Sequence, residues 1–162
     1  MKLALESHGR LERFFREYFD DPQLKLPPVY LHRGRVARLV TKQLRIGAIT
    51  VGRHILLSPD RVAQEAGNLF TKGWLVAHEA THVLQYEREG YMRFFFRYFY
   101  GYWVALRAGG KWDREARMKA YLAIEAEREA HEVERAYQLW SDRSQSLNPE
   151  DKNSSPPISV IT

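Results

Sequence analysis

Residues 74–85 read WLVAHEATHVLQ and contain the pattern His78-Glu79-x-x-His82. Residues four apart stack on one face of a helix, so the two imidazoles can reach a single Zn²⁺ from the same side. Glu79 lies next to that face and is placed to deprotonate a zinc-bound water without being a ligand. Because the flanking residues are apolar, the helix is predicted to be buried, and a buried helix rarely carries such polar residues without a use. The alternative is a pair of core histidines bonded to backbone.

A catalytic zinc site also needs a third protein ligand. The pattern HExxHxxGxxH is excluded, because Gln85 and Arg88 occupy the glycine and histidine positions. A long helix predicted over 113–139 offers glutamates instead. On a helical wheel, Glu127 and Glu134 fall at the edge of its buried stripe, and the wheel does not choose between them. The other glutamates of this segment lie farther from the stripe: Glu125, Glu129 and Glu132.

The rest of the chain predicts an α+β fold that is mainly helical. A β-hairpin is expected over 47–57, and one more extended segment through 29–31, so the sheet should be small. Residues 1–140 are predicted to form one domain, and the Ser-, Asn-, Asp- and Pro-rich segment 141–162 is predicted to be a disordered tail. The predicted helices cover 5–19, 35–44, 58–65, 71–89, 91–108 and 113–139.

Composition excludes several classes of site. The 162 residues contain no cysteine, which excludes disulfides, thiolate zinc sites and cysteine nucleophiles. The net charge is +5, and residues 1–58 hold 11 Lys/Arg against 5 Asp/Glu. That surplus fits a solvated basic face, an acidic partner or an anionic membrane. With no Gly-rich phosphate loop or zinc-finger spacing, no nucleic-acid partner is predicted. The sequence suggests neither a signal peptide nor a membrane span, and a cytoplasmic location is the default expectation.

Residues 91–103, YMRFFFRYFYGYW, form a second unusual segment. A helix is predicted here, and Arg93, Arg97 and Arg107 exclude a membrane-spanning one. It can pack as a core helix across the helix of His78. It can also contact a membrane surface peripherally, form a homodimer face through residues 91–107, or line a substrate groove.

Several of these motifs together resemble a bacterial family, the extracellular contractile injection system core domain, whose members are predicted zinc metallopeptidases. The hairpin residues 47–55, GAITVGRHI, are similar to the family pattern Ala-Phe-Thr-x-Gly-x-x-Ile. The helix that follows in the family reads His-Glu-x-x-His-x-x-Gln, as residues 78–85 do here. Residues 29–34 resemble the upstream pattern Val-x-x-His-x-Gly. Downstream, Tyr121, Ile124, Glu127 and Ala130 match Tyr-x-x-Ile-x-x-Glu-x-x-Ala, although Glu125 stands where the family often has proline.

The resemblance covers about residues 28–137 and implies a minimal zincin-like core and a hydrolase of the gluzincin type. In this interpretation Zn²⁺ is held by His78, His82 and Glu127, and Glu79 activates a zinc-bound water for peptide-bond hydrolysis. The substrate would be a peptide or protein. The alternative is a catalytically silent zincin-fold module that binds a partner protein or an anionic membrane through the aromatic helix 91–107.

Three further residues are candidates for supporting roles. A peptidase needs a donor for the oxyanion of its transition state, and His131 or Tyr121 would be near enough to Glu127 to serve. The alternative, which the sequence favours for both residues, is packing or a contact that orients a ligand. Glu134, two turns beyond Glu127, is predicted to hydrogen-bond a zinc-bound histidine.

Overall fold

The computed structural model describes residues 1–44, 46–65, 68–110, 113–147 and 158–161. Helices dominate this part of the chain, as predicted, and the fold is of the α+β class. They are α1 (Leu5–Tyr18), α2 (Arg35–Leu44), α3 (Gly73–Glu89), α4 (Tyr91–Ala108), α5 (Arg114–Leu122) and α6 (Glu125–Leu147).

Short strands form a single sheet in the described residues. Its strand order is β3-β4-β2-β1-β7-β6-β5, with β2 and β4 paired in parallel and the other neighbours antiparallel. The hairpin prediction is confirmed, because β3 and β4 pair across Gly52-Arg53 with Val51 opposite His54. The strands are β1 (Lys2–Leu3), β2 (Tyr30–His32), β3 (Ala48–Val51), β4 (His54–Leu57), β5 (Val62–Glu65), β6 (Asn68–Thr71) and β7 (Ile158–Ile161).

The main core lies between the sheet and the helices α1, α3 and α6. Helix α3 packs closely along α6, and its first residue, Gly73, lies against the ring of Tyr137. Any side chain at position 73 would overlap that ring, whose nearest carbon is 2.8 Å from the position of a Cβ atom. This close approach brings the buried faces of α3 and α6 together. The fully buried members include Leu11, Phe15, Leu31, Ile55, Val76, Val83 and Val133.

Residues 58–65 differ from the predicted helix. Pro59–Arg61 form one turn of 3-10 helix, and the chain then enters β5, which pairs with β6. The helical turn begins after Ser58, as a helix over 58–65 requires, but Val62–Glu65 then pair with the neighbouring strand Asn68–Thr71, and this pairing overrides the helix start. The sheet therefore extends beyond the predicted hairpin and single extended segment.

The predicted helix 113–139 is two helices in the structure. Helix α5 ends at Leu122, and α6 begins at Glu125. The break leaves Leu122 45% exposed, although on a wheel for one continuous helix over 113–139 this residue falls in the buried stripe. It also turns Tyr121 back towards the first turn of α6.

The C-terminal segment 141–162 is only partly described. Helix α6 continues through residue 147, and Ile158–Ile161 form β7 between β1 and β6. These two stretches depart from the predicted disordered tail, because the helix pattern continues past residue 140 and β7 pairs with strands far away in the sequence. Residues 148–157 lie outside the described part of the chain.

Helix α4 forms where it was predicted, and its inner face joins a smaller cluster. Phe94 and Tyr86 are buried there with Ile124 and Ala126, so α4 is held between the end of α3 and the start of α6. Among the described helices, none has the length and apolar character needed to cross a membrane.

Candidate metal centre

The predicted motif lies in the middle of α3, on its buried side. His78, Glu79 and His82 are each at most 7% exposed. The two imidazoles are one helical turn apart, and their ring centroids are 5.2 Å apart. The helix therefore presents both histidines to the same small interior space.

Glu127 is the carboxylate that enters this space. It is 3% exposed and lies in the first turn of α6. Its Oε2 is 3.5 Å from His78 Nε2, and its Oε1 is 3.5 Å from His82 Nε2. One ligand atom from each residue lies within 4.8 Å of the others. The three residues thus form a buried N, N, O set that could hold a metal ion.

Both histidines are held by their outer nitrogens. His82 Nδ1 is 2.8 Å from Gln85 Oε1, and His78 Nδ1 is 3.2 Å from Glu134 Oε2. The Gln85 amide nitrogen donates to the Ala126 carbonyl at 3.1 Å, which fixes the amide orientation and makes Oε1 the acceptor. Because both partners are acceptors, each Nδ1 donates, so in the neutral imidazole each Nε2 has its lone pair directed to the interior, and in the protonated ring it faces Glu127 as a donor. This is the tautomer that a metal-binding histidine requires.

Two tyrosines hold the Glu127 carboxylate. Tyr98 from α4 donates to Oε1 at 2.7 Å, and Tyr121 from α5 donates to Oε2 at 2.5 Å. Residues 121 and 127 would lie on different sides of a continuous helix, so the Tyr121 contact depends on the break between α5 and α6. Each carboxylate oxygen consequently faces one imidazole and one hydroxyl.

The charges in this cluster favour a cation between the histidines and Glu127. Burial alone would raise the pKa of Glu127, but the hydrogen bond from His78, the charge of His82 and the two tyrosine hydroxyls lower it to about 2. Burial likewise lowers the pKa of His78, yet the hydrogen bond to Glu127 and nearby carboxylates raise it above its usual value overall. Burial first, then the charge of Glu127, raises the pKa of Tyr98 and of Tyr121, which keeps both hydroxyls protonated as donors.

Glu79 has its own anchor on the sheet. Thr50, buried in β3, donates its hydroxyl to Glu79 Oε2 at 2.7 Å. The Glu79 charge contributes to raising the pKa of His78, Tyr98 and Tyr121, so its carboxylate lies within electrostatic reach of the metal-binding set. The structure therefore places a second, independently held carboxylate beside the three candidate ligands.

Glu134 and His131 lie on the outer side of His78. Glu134 Oε2 accepts from His78 Nδ1 and lies 3.1 Å from His131 Nδ1, and the rings of His78 and His131 are 4.7 Å apart. Although His78, His131 and Glu134 are close enough to form a second possible metal-binding group, Glu134 is already bonded to both imidazoles. We interpret it as the hydrogen-bond partner that orients His78.

Three contributors were not predicted from the sequence. Thr50 belongs to the hairpin pattern and Gln85 to the helix pattern, but no role had been inferred for either. Tyr98 is one of many aromatic residues in α4, and nothing in its spacing distinguishes it from its neighbours. Contacts between distant segments decide all three roles.

The sequence model of the eCIS core domain matches residues 3–90, more than half of the chain. The chain belongs to the eCIS core domain family. No curated protein and no solved structure is significantly similar to it. The matched part of this eCIS core domain contains the hairpin, Glu79 and both histidines, and it ends one residue before α4. Glu127, Tyr98 and Tyr121 lie outside the match.

Proposed function

We propose that this eCIS core domain is a zinc-dependent metallopeptidase of the gluzincin type, with His78, His82 and Glu127 as metal ligands. The observation that carries the proposal is the buried set of two Nε2 atoms and one carboxylate, with Glu79 on the same turn of α3. Two histidines and a glutamate are a donor set used by catalytic zinc sites, which leave a further coordination position open. A zinc ion bound there would act as a Lewis acid and lower the pKa of its bound water.

The protein residues fit that group. Both histidines direct Nε2 inwards, since their Nδ1 atoms are occupied by Glu134 and Gln85. The carboxylate of Glu127 is ionised over the whole physiological pH range, given its pKa of about 2. Separations of 3.5 Å between ligand atoms suit an ion placed between them.

Glu79 would act as the general base. Its carboxylate would accept a proton from the attacking water and then donate it to the leaving amine nitrogen. The Thr50 hydroxyl occupies Oε2, which leaves Oε1 for that proton transfer. Thr50 would thereby position Glu79 without touching the substrate.

Strand β3 offers a docking edge for a peptide substrate beside Glu79. Strand β3 is the last strand at one end of the described sheet, and Thr50 within it contacts Glu79 directly. An extended peptide can add to such an edge through main-chain hydrogen bonds. A peptide or protein substrate therefore fits the geometry better than a small molecule, and the family assignment is also compatible with protein partners.

Of the oxyanion candidates, His131 is the more available. The hydroxyl of Tyr121 is bonded to Glu127, whereas His131 Nε2 has no hydrogen-bond partner among the described residues. Because its ring centroid lies 4.7 Å from that of His78, His131 would be the donor to a developing charge beside His78. Tyr121 would instead serve to position the third ligand.

The substitution Glu79→Gln tests the proposal most directly. The amide is isosteric but cannot accept the proton, so zinc content should stay near one per chain while peptide hydrolysis falls by roughly 10²–10⁴-fold. Zinc is measured by elemental mass spectrometry and cleavage with a peptide library. Glu87→Gln, which changes an exposed glutamate of the same helix, is the matched control and should keep full activity.

Three results would contradict the proposal. Folded wild-type protein that takes up no zinc when zinc is offered would rule out the metal site. Hydrolysis unaffected by Glu79→Gln would rule out Glu79 as the general base. Zinc-loaded protein with no hydrolysis would instead favour the catalytically silent module. The exposed aromatic residues of α4 are the observation that keeps this second function under consideration.

A further inference from the structure

We propose that the outer face of α4 docks the domain onto an anionic membrane surface, and this proposal does not depend on the metal centre. The face carries large side chains that are between 49% and 84% exposed. We call this set the aromatic stripe. Its members are Met92, Phe96, Phe99, Tyr100 and Trp103.

The stripe is continuous along one side of the helix. At 100° per residue, its five members fall within an arc of about 100°. The opposite side faces the protein, where Phe94 is 4% exposed and Tyr98 reaches Glu127. The stripe is therefore the side of α4 that the rest of the described chain leaves uncovered.

Positive charge flanks the stripe at both ends. Arg93 and Arg107 project within about 60° of Phe96, one in the first turn of the helix and one in the last. The Arg107 guanidinium lies over the Trp103 ring, 5.0 Å from its centroid. The third arginine, Arg97, is already paired with Glu89 and Glu125. Helix α4 contains no acidic residue.

The neighbouring helix α5 also carries exposed apolar side chains and an excess of basic residues. Met118 and Leu122 are about half exposed, and α5 carries three basic residues against one acidic residue. Aromatic rings at the acyl boundary with arginines at the headgroups are typical of helices that lie flat on a membrane. Phosphates of anionic lipids would complement Arg93 and Arg107 at the two ends of the stripe.

A second copy of this chain suits the stripe less well. In a two-fold contact between α4 helices, the arginines at the ends would face the arginines of the other copy. Such like charges repel, and no acidic residue of α4 compensates for them. Charge complementarity thus favours anionic lipid over self-association.

Vesicle co-sedimentation tests the proposal, using phosphatidylcholine vesicles with and without phosphatidylglycerol at low and high salt. We expect binding to the anionic vesicles only, weakened by salt. The double substitution Phe96→Ser/Trp103→Ser should reduce the bound fraction at low salt by at least about tenfold. The matched control is Val36→Ser/Leu39→Ser on the basic helix α2, whose two side chains are about as exposed. This control should bind like the wild type.

The proposal is overturned by absence of binding to anionic vesicles at low salt, by equal binding to neutral vesicles, or by equal loss in the α2 control. A wild-type dimer that the stripe variant converts to monomer, without vesicle binding, would assign the face to self-association and also overturn it. Zinc content and circular dichroism of each variant show whether the metal centre and the fold remain intact. Failure of the membrane proposal is thereby distinguishable from failure of the peptidase proposal.

Discussion

The family-matched residues 3–90 and the helical residues 91–147 contribute to the metal centre in different ways. The first region supplies both histidines and Glu79 from one helix, together with Thr50 from the neighbouring strand. The second supplies Glu127 and its two tyrosines from three separate helices. The first group is assembled by local spacing and one hairpin, whereas the second is assembled only by tertiary packing.

The residues of the candidate site thus come from two parts of the chain, and only one part can be recognised from a sequence motif. The motif of α3 can be recognised without any fold, because helical geometry alone aligns the two histidines. Glu127 reaches the two histidines only because α6 packs along α3 and begins directly after Ile124. If both regions supply ligands to the same metal ion, removing a ligand from either region should lower metal affinity to a similar extent, although only the first region carries a recognisable motif.

The largest expected effect is loss of the metal after removal of a ligand from either region. His82→Ala and Glu127→Ala should each lower zinc affinity by more than about 100-fold, beyond the range seen when only an orienting contact is lost. Elemental mass spectrometry on purified protein, followed by competition with a chelator, measures the change. Glu132→Ala removes an exposed carboxylate of the same helix as Glu127 and serves as the control.

Full zinc retention in Glu127→Ala would mean that the second region does not bind the metal through Glu127. The candidate metal centre would then lack its proposed third ligand. Glu134→Ala then becomes informative, since Glu134 belongs to the second possible group around His78. Loss of zinc in Glu134→Ala with retention in Glu127→Ala would move the site to the outer side of His78.

A smaller effect is expected for Gln85, which belongs to the first region and contacts the second. Its amide accepts from His82 and donates to the Ala126 carbonyl and to Glu129 Oε2 at 2.8 Å. Gln85→Met keeps the length of the side chain but removes these hydrogen bonds, so zinc affinity should fall by about 10- to 100-fold. Isothermal titration of zinc into apo protein provides the measurement. An unchanged affinity would mean that packing alone orients His82.

The predictions from sequence were correct where the relevant contacts are local. The buried α3, the β3–β4 hairpin and α4 follow from helix periodicity, turn residues and capping. Strand β5 was missed because residues 58–60 are typical of a helix start and nothing in the following residues marks the change to a strand, which pairs with the next strand along the chain, β6. The break between α5 and α6 was missed because hydrophobic periodicity continues through it without interruption.

The candidate site shows the same division. The helical wheel selects Glu127 and Glu134 equally, and the family resemblance favours Glu127. In the structure Glu127 faces both Nε2 atoms, whereas Glu134 faces Nδ1 of His78. Tyr98 could not be distinguished from the other aromatic residues of α4, because its role depends on where α4 docks. Side-chain direction relative to a distant helix is not encoded in any short pattern.

The smallest expected effect tests whether α4 belongs to the metal centre at all. Tyr98→Phe removes only the hydroxyl that donates to Glu127 Oε1 at 2.7 Å and leaves the ring in place. Losing one such hydrogen bond costs about 1 kcal/mol, so zinc affinity should fall by about fivefold with little change in the melting temperature of the apo protein. Tyr102→Phe, a half-buried tyrosine on the same helix, is the matched control. Equal affinities for the two variants would show that Tyr121 alone positions Glu127, and α4 would then be joined to this centre only through packing of its inner face.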